Sequence, residues 1–220
     1  MLTLFGNLDS GNVHKVQMIL KYRGLPFRRV DVRQDRGQSR DPRFLKVNEM
    51  GKVPAVQISN GTVLSDSGAL LFFFSSGTPL WPNVLREQAE VLRWMFFEQY
   101  SHEPALAVLR YLRHFAPDRD AHQERIADLV SKSNFVLGVL EKRLAESEWI
   151  AGPVATIADY ALYPYTRWME EVGFSRQDWP LIDRWLLRFE RMPEFLPLYA
   201  DGASEVIEFS DYFGLPSNSD

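Results

Sequence analysis

Hydrophobic positions over the first eighty residues change period several times. Leu2-Thr3-Leu4-Phe5 is a short apolar run that reads as a strand. Val13, Val16, Ile19 and Leu20 then fall at helical spacing, up to a stop at Gly24. Residues 27–32 alternate at period two and predict a second strand. Asp41-Pro42 opens a brief helical turn, with proline at the favoured first helical position. Residues 54–58 and 62–64 are strand-like runs around Ser59-Asn60-Gly61, and Asn-Gly between two such runs predicts a hairpin. Residues 66–76 read as a helix with a polar start. The order is β-α-β, an irregular segment, then β-β-α. The first half requires a crossover and the second a hairpin, so one mixed four-stranded sheet satisfies both.

After Gly77, the stretch Thr78-Pro79-Leu80-Trp81-Pro82-Asn83 breaks the pattern and the strand signals stop. Residues 84–115, 119–146, 156–172 and 181–191 carry the helical period. Pro104 interrupts the first of these, which predicts a kink or a fresh start at His102-Glu103-Pro104. The expected organisation is an α/β module over 1–77, a linker over 78–85, an all-helical module over 86–205 and a tail over 206–220, with 214–220 mobile.

Composition narrows the class. Hydrophobic residues make up 45% and charged residues 25%, ordinary for a soluble globular protein. No uninterrupted apolar run reaches the roughly eighteen residues of a membrane span, and the N-terminus lacks a basic-then-apolar leader. The absence of cysteine excludes disulfides, thiolate metal sites and a protein-thiol nucleophile, and suits a reducing, cytoplasmic setting. The four histidines are scattered in sequence, so no metal is expected. A net charge of −4 argues against nucleic acid as the main partner. Residues 1–80 hold eleven Lys and Arg against six Asp and Glu, whereas 81–220 hold fourteen against twenty-three. A basic front module suits a small anion, although solvated helix faces explain such asymmetry equally well.

Three clusters carry candidate chemistry. Asp9-Ser10-Gly11-Asn12 lies where the first strand hands over to the first helix, and Ser65-Asp66-Ser67 lies at a second strand-to-helix junction. Free N–H groups and the helix dipole make such junctions anion sites, and a side-chain cap is the simpler use of the same residues. Asp66 with Ser67 suits an amino-acid zwitterion, the carboxylate facing an ammonium group and the hydroxyl a carboxylate. Val53-Pro54 opens the third strand, where a missing N–H is tolerated. Late in the chain, Thr156 precedes Asp159 by three residues, a capping-box spacing worth about 1 kcal/mol or more.

In this order and spacing, these clusters resemble the cytosolic glutathione transferases. Residues 10–32 (SGNVHKVQMILKYRGLPFRRVDV), 48–71 (NEMGKVPAVQISNGTVLSDSGALL) and 94–110 (WMFFEQYSHEPALAVLR) are similar to bacterial members with Ser-Gly-Asn at the first turn. The resemblance spans residues 1 to about 200. It implies a thioredoxin-like N-terminal domain, an all-helical second domain and glutathione as co-substrate, without a metal.

By that resemblance Ser10, or alternatively Asn12, stabilises the glutathione thiolate. A free thiol has a pKa of about 8.5 and is mostly protonated at neutral pH. Val53 would pair its backbone with the cysteinyl part, with Pro54 cis. Asp66 and Ser67 would hold the γ-glutamyl end, and Lys52 and Arg40 would meet the glycyl carboxylate. Phe97, Tyr100, Tyr111 and Trp168 would line a pocket for a hydrophobic electrophile. Thr156 and Asp159 match the family's buried capping motif. The family is usually homodimeric, and Glu98 or Gln99 of one copy would approach Ser67 of the other. The implied activity is transfer to an electrophile through sulfur. A glutathione-dependent peroxidase or disulfide reductase, and a non-catalytic interaction protein, remain open beside it.

Overall fold

The apolar runs that open the chain pair with one another in a mixed sheet. In the computed structural model, which describes residues 1–118 and 120–214, β1 (Leu2–Phe5) lies parallel to β2 (Phe27–Val30), across the crossover helix α1 (Gly11–Tyr22). After the short α2 (Pro42–Leu45), β3 (Ala55–Gln57) pairs antiparallel with both β1 and β4 (Val63–Ser65). Helix α3 (Ser67–Ser75) follows. Leu4, Phe5, Val13, Val16, Ile19, Leu20, Val56, Leu70 and Leu71 are inaccessible to solvent and form the core of this unit.

The sheet has five strands, not the four read from the sequence, in the order β4-β3-β1-β2-β5. The fifth, β5 (Glu205–Ile207), runs parallel to β2 with Arg28 opposite Glu205 and Val30 opposite Ile207. Helix α9 (Phe209–Phe213) follows. Its Tyr212 stands edge-on to Phe5 at 5.3 Å and under the Arg28 guanidinium. The stretch expected to be a tail therefore returns to the sheet. The first compact unit comprises Met1–Phe74 and the chain from Glu194 onward, and the second comprises Ser75–Pro193. The part of the expected tail beyond Gly214 lies outside the described residues.

The second unit is helical: α4 (Leu85–Phe97), α5 (Glu103–His114), α6 (Gln123–Leu144), α7 (Ile157–Arg167) and α8 (Pro180–Phe189). Between α4 and α5 the chain makes one turn of π-helix, Glu98–His102, and Pro104 sits in the first turn of α5, directly after it. Thr156 caps α7 in a capping box with Asp159. The Asp159 carboxylate also accepts from the Ile150 N–H at 3.0 Å and the Trp185 indole at 2.9 Å. Burial pushes this carboxyl above the usual range, against the pull of those donors. Glu141 on α6 caps α8 from a distance, accepting from the N–H groups of Leu181 and Ile182 at 2.9 Å each.

Candidate functional site

Strand register brings the sequence-predicted residues to one end of the sheet. Phe5 lies opposite Val30 and Ala55, and Ala55 lies opposite Ser65. The loop leaving β1, the Val53-Pro54 segment entering β3 and the Asp66-Ser67 turn leaving β4 are therefore neighbours.

Ser10 is the N-cap of α1. Its Oγ accepts from the Val13 N–H at 3.3 Å, and its carbonyl accepts from the His14 N–H at 3.0 Å. The hydroxyl hydrogen remains available to donate, and accepting the backbone hydrogen bond makes it a stronger donor. Asn12, in the first turn of the same helix, accepts from the Ser67 hydroxyl through Oδ1 at 3.3 Å. That contact joins the two polar junctions.

Asp66 adopts a left-handed backbone (φ 73°), and its Oδ1 accepts from the N–H groups of Gly68 and Ala69 at 2.9 and 3.1 Å. The carboxylate thus caps α3 and is exposed, while Ser67 beside it is buried. The Val53-Pro54 bond is cis. Asn48, buried, donates to the Lys52 carbonyl at 2.7 Å and accepts from the Met50 N–H at 3.3 Å. Arg40 donates to the Met50 carbonyl at 3.3 Å. Gly51 (φ 60°) makes this packing possible, because a Cβ there would lie 2.8 Å from the Ser39 carbonyl and 2.9 Å from Arg40 Nη1. Lys52 and Arg40 are both exposed, on the two sides of α2.

The four aromatic residues expected in a second pocket have unlike surroundings. Tyr100 is 87% exposed on the π turn, and Tyr111 is exposed and stacked on Phe115. Phe97 lies edge-on to Trp94, half-buried. Trp168 is buried beneath the Arg110 guanidinium, 3.9 Å from its ring centroid, in the packing of the helical unit. Glu98 is likewise buried, whereas Gln99 is exposed.

Residues 9–76 match the model of the glutathione S-transferase N-terminal domain, and residues 100–193 match that of the C-terminal domain. A crystal structure of glutathione S-transferase from Pseudomonas fluorescens is 34% identical, with a TM-score of 0.87 over 90% of this chain and 98% of that one. The chain belongs to the glutathione S-transferase family. A glutathione transferase from Burkholderia graminis, 30% identical with a TM-score of 0.77 over 88% of this chain and 85% of that one, was solved with two glutathione molecules bound per subunit. Transcriptional regulator URE2 of Saccharomyces cerevisiae is 26% identical over 87% of this chain, which spans 65% of the yeast protein's length.

Two residues that brace the candidate site, Asn48 and Arg29, were not singled out from the sequence. Asn48 organises the loop that carries Lys52. Arg29, buried, donates to the Gly6 carbonyl at 2.8 Å behind the first turn. An arginine inside the alternating run 27–32 was the available signal, because a charge on a buried strand needs partners.

Proposed function

We propose that this chain is a glutathione transferase that activates the glutathione thiol at the first turn of α1 and passes its sulfur to a hydrophobic electrophile. The observation that carries this reading is the Ser67–Asn12 hydrogen bond. It links a clamp suited to an amino-acid end with a helix N-terminus suited to an anion.

Glutathione would lie along the sheet end, with its cysteinyl backbone against Val53 in the manner of an added strand. Its γ-glutamyl group would reach Asp66 and Ser67, and its glycyl carboxylate Lys52 and Arg40. The thiolate would take a hydrogen bond from Ser10 or Asn12, aided by the α1 dipole. A charge-assisted hydrogen bond of about 1.5–3 kcal/mol lowers a thiol pKa by about one to two, and the upper end of that range makes thiolate the main species at neutral pH. The electrophile then loses its leaving group, or opens a strained ring, as the carbon–sulfur bond forms.

We further propose a homodimer. Phe73 on α3, and Leu85, Leu92 and Phe96 on α4, are exposed apolar side chains that a second copy could cover. Sedimentation at micromolar concentration tests this, and a monomer excludes it.

A second reading is supported by the two glutathione molecules per subunit in the Burkholderia graminis protein. On the same site, a bound thiolate would attack a disulfide, forming a new disulfide and releasing a thiolate. Because the chain has no cysteine, both sulfurs belong to the small molecules. Kinship with the yeast regulator supports a third reading, binding without turnover.

Calorimetric titration of glutathione into wild type and Ser67→Ala, followed by a panel of electrophiles and disulfides, separates these readings. Binding with conjugation supports the transferase. Disulfide exchange alone selects the second reading, and binding without turnover the third. No binding at millimolar glutathione removes both enzyme readings.

A further inference from the structure

Residues 195–202 make a succession of polar contacts with the parts of the first unit that hold α1. His14, Gln17 and Lys21 follow one another along one face of that helix. His14 Nε2 donates to the Leu196 carbonyl at 2.9 Å, and Lys21 Nζ donates to the Phe195 carbonyl at 2.9 Å. Gln17 Oε1 accepts from the Gly202 N–H at 2.9 Å. One helix face is thus fastened by directional hydrogen bonds to a single segment, which sets its position along the axis as well as its distance.

The same segment also reaches the chain just before α1 through Arg29. Asp201 Oδ2 accepts from Arg29 Nε and Nη2 at 2.9 and 2.8 Å. Asp31 takes a further hydrogen bond from Nη1, and Nη1 also donates to the Gly6 carbonyl at 2.8 Å. Gly6 touches α1 directly, since a Cβ on it would lie 2.3 Å from Val13 Cγ2. From Gly6 the chain runs to Asn7, whose side chain donates to the Val32 carbonyl at 3.0 Å and whose own carbonyl accepts from the Ser10 N–H at 3.4 Å. The guanidinium therefore braces Gly6, whose own N–H donates to the Val30 carbonyl at 3.0 Å, and with it the start of the backbone that leads to Ser10 and Asn12.

We infer that the returning segment 195–202 is a positioning element for the thiol-activating end of α1, with Asp201 acting through Arg29 and Gly6. The inference rests on the function proposed above and assigns the C-terminal return a part in it. None of its residues needs to touch glutathione. Donors to a developing thiolate act only when held in place, and misplacement by about 1 Å can cost a hundredfold in rate. A purely stabilising role for the same contacts would lower the unfolding temperature and leave the thiol unaffected.

The test uses the full chain with Asp201→Ala, Asp201→Asn and Lys21→Met, all at sites with solvent access. Glutathione affinity is read by calorimetry, and the thiol titration by ultraviolet absorbance of the bound thiolate. Turnover at saturating glutathione and amide exchange at Val13 and His14 complete the set. For Asp201→Ala we expect unchanged affinity, because Asp66 and Ser67 are untouched. Turnover at neutral pH should fall about tenfold, with the thiol titrating at correspondingly higher pH. Exchange at Val13 and His14 should be faster. Asp201→Asn, which keeps an acceptor for Arg29, should recover most of the loss, and Lys21→Met should shift the same readouts in the same direction. Unchanged thiol titration and unchanged exchange in Asp201→Ala and Lys21→Met overturn the inference, even if both variants melt earlier. If the wild type shows no lowered thiol titration, the proposed activity fails separately, and amide exchange alone then decides this inference.

Discussion

The hydroxyl of Ser67 donates to the carboxamide oxygen of Asn12 across 3.3 Å, tying the opening turn of α3 to that of α1. Substitution at either end should therefore act on both the clamp and the thiol. In the proposed site, Ser67→Ala would remove a ligand of the γ-glutamyl carboxylate and, with it, the hydrogen bond to Asn12. A charge-assisted hydrogen bond is worth about 1.5–3 kcal/mol, so the glutathione dissociation constant should rise by about tenfold or more. Calorimetry measures this directly, and an unchanged constant removes Ser67 from the site.

Ser10→Ala should produce two separable effects. Loss of the cap on α1 should cost about 1 kcal/mol in denaturant unfolding. Loss of the proposed thiolate donor should lower turnover about tenfold to a hundredfold and raise the pH at which bound glutathione ionises. If only stability falls while Asn12→Ala abolishes the thiol shift, Asn12 is the donor.

Asp159→Ala should be much more costly than an ordinary cap substitution. The side chain accepts from the N–H groups of Ile150 and Thr156 and from the Trp185 indole, all in a fully buried setting. Each stranded donor costs about 1–3 kcal/mol, so unfolding stability should drop by about 3 kcal/mol or more. Equilibrium unfolding followed by tryptophan fluorescence checks it. Soluble variant that still folds should retain glutathione binding, since Asp159 belongs to the helical unit.

His14 predicts a stability change on acidification. Burial lowers its pKa from 6.5 to about 4, with the Leu196 carbonyl acting in the opposite direction. Because the folded value lies below the unfolded one, the unfolded chain binds more protons between the two. Stability should be fully present above about pH 6.5 and decline as pH falls toward 4, by about 3 kcal/mol in total. Denaturant midpoints at several pH values across this window measure the slope. His14→Gln, which keeps a donor for Leu196 without titrating, should flatten it.

The strand and helix order of the first unit was legible because its signals are local. Asn60-Gly61 marks its hairpin, Asp41-Pro42 opens α2, and Ser10 caps α1 within four residues of its own position. The capping box at Thr156 and Asp159 was legible for the same reason. β5 was not, since Glu205 and Val206 are exposed and its pairing partner β2 lies far away in sequence. Its strand character comes from the ladder with β2, which no period within three residues can announce. The π turn was seen only through Pro104, a signal equally consistent with a kink. At the site, residue types were readable, but the Ser67–Asn12 bond depends on two helix starts meeting at one sheet end.

The five-stranded sheet is built from both termini, with the whole of Ser75–Pro193 between its fourth and fifth strands. During synthesis, β2 therefore emerges long before the strand that covers its outer edge, and that edge stays open until Glu205–Ile207 has been made. Closing so large a loop is slow compared with forming neighbouring hairpins. A nascent chain halted before Glu194 would carry every proposed glutathione ligand yet lack the last strand of the sheet that supports them.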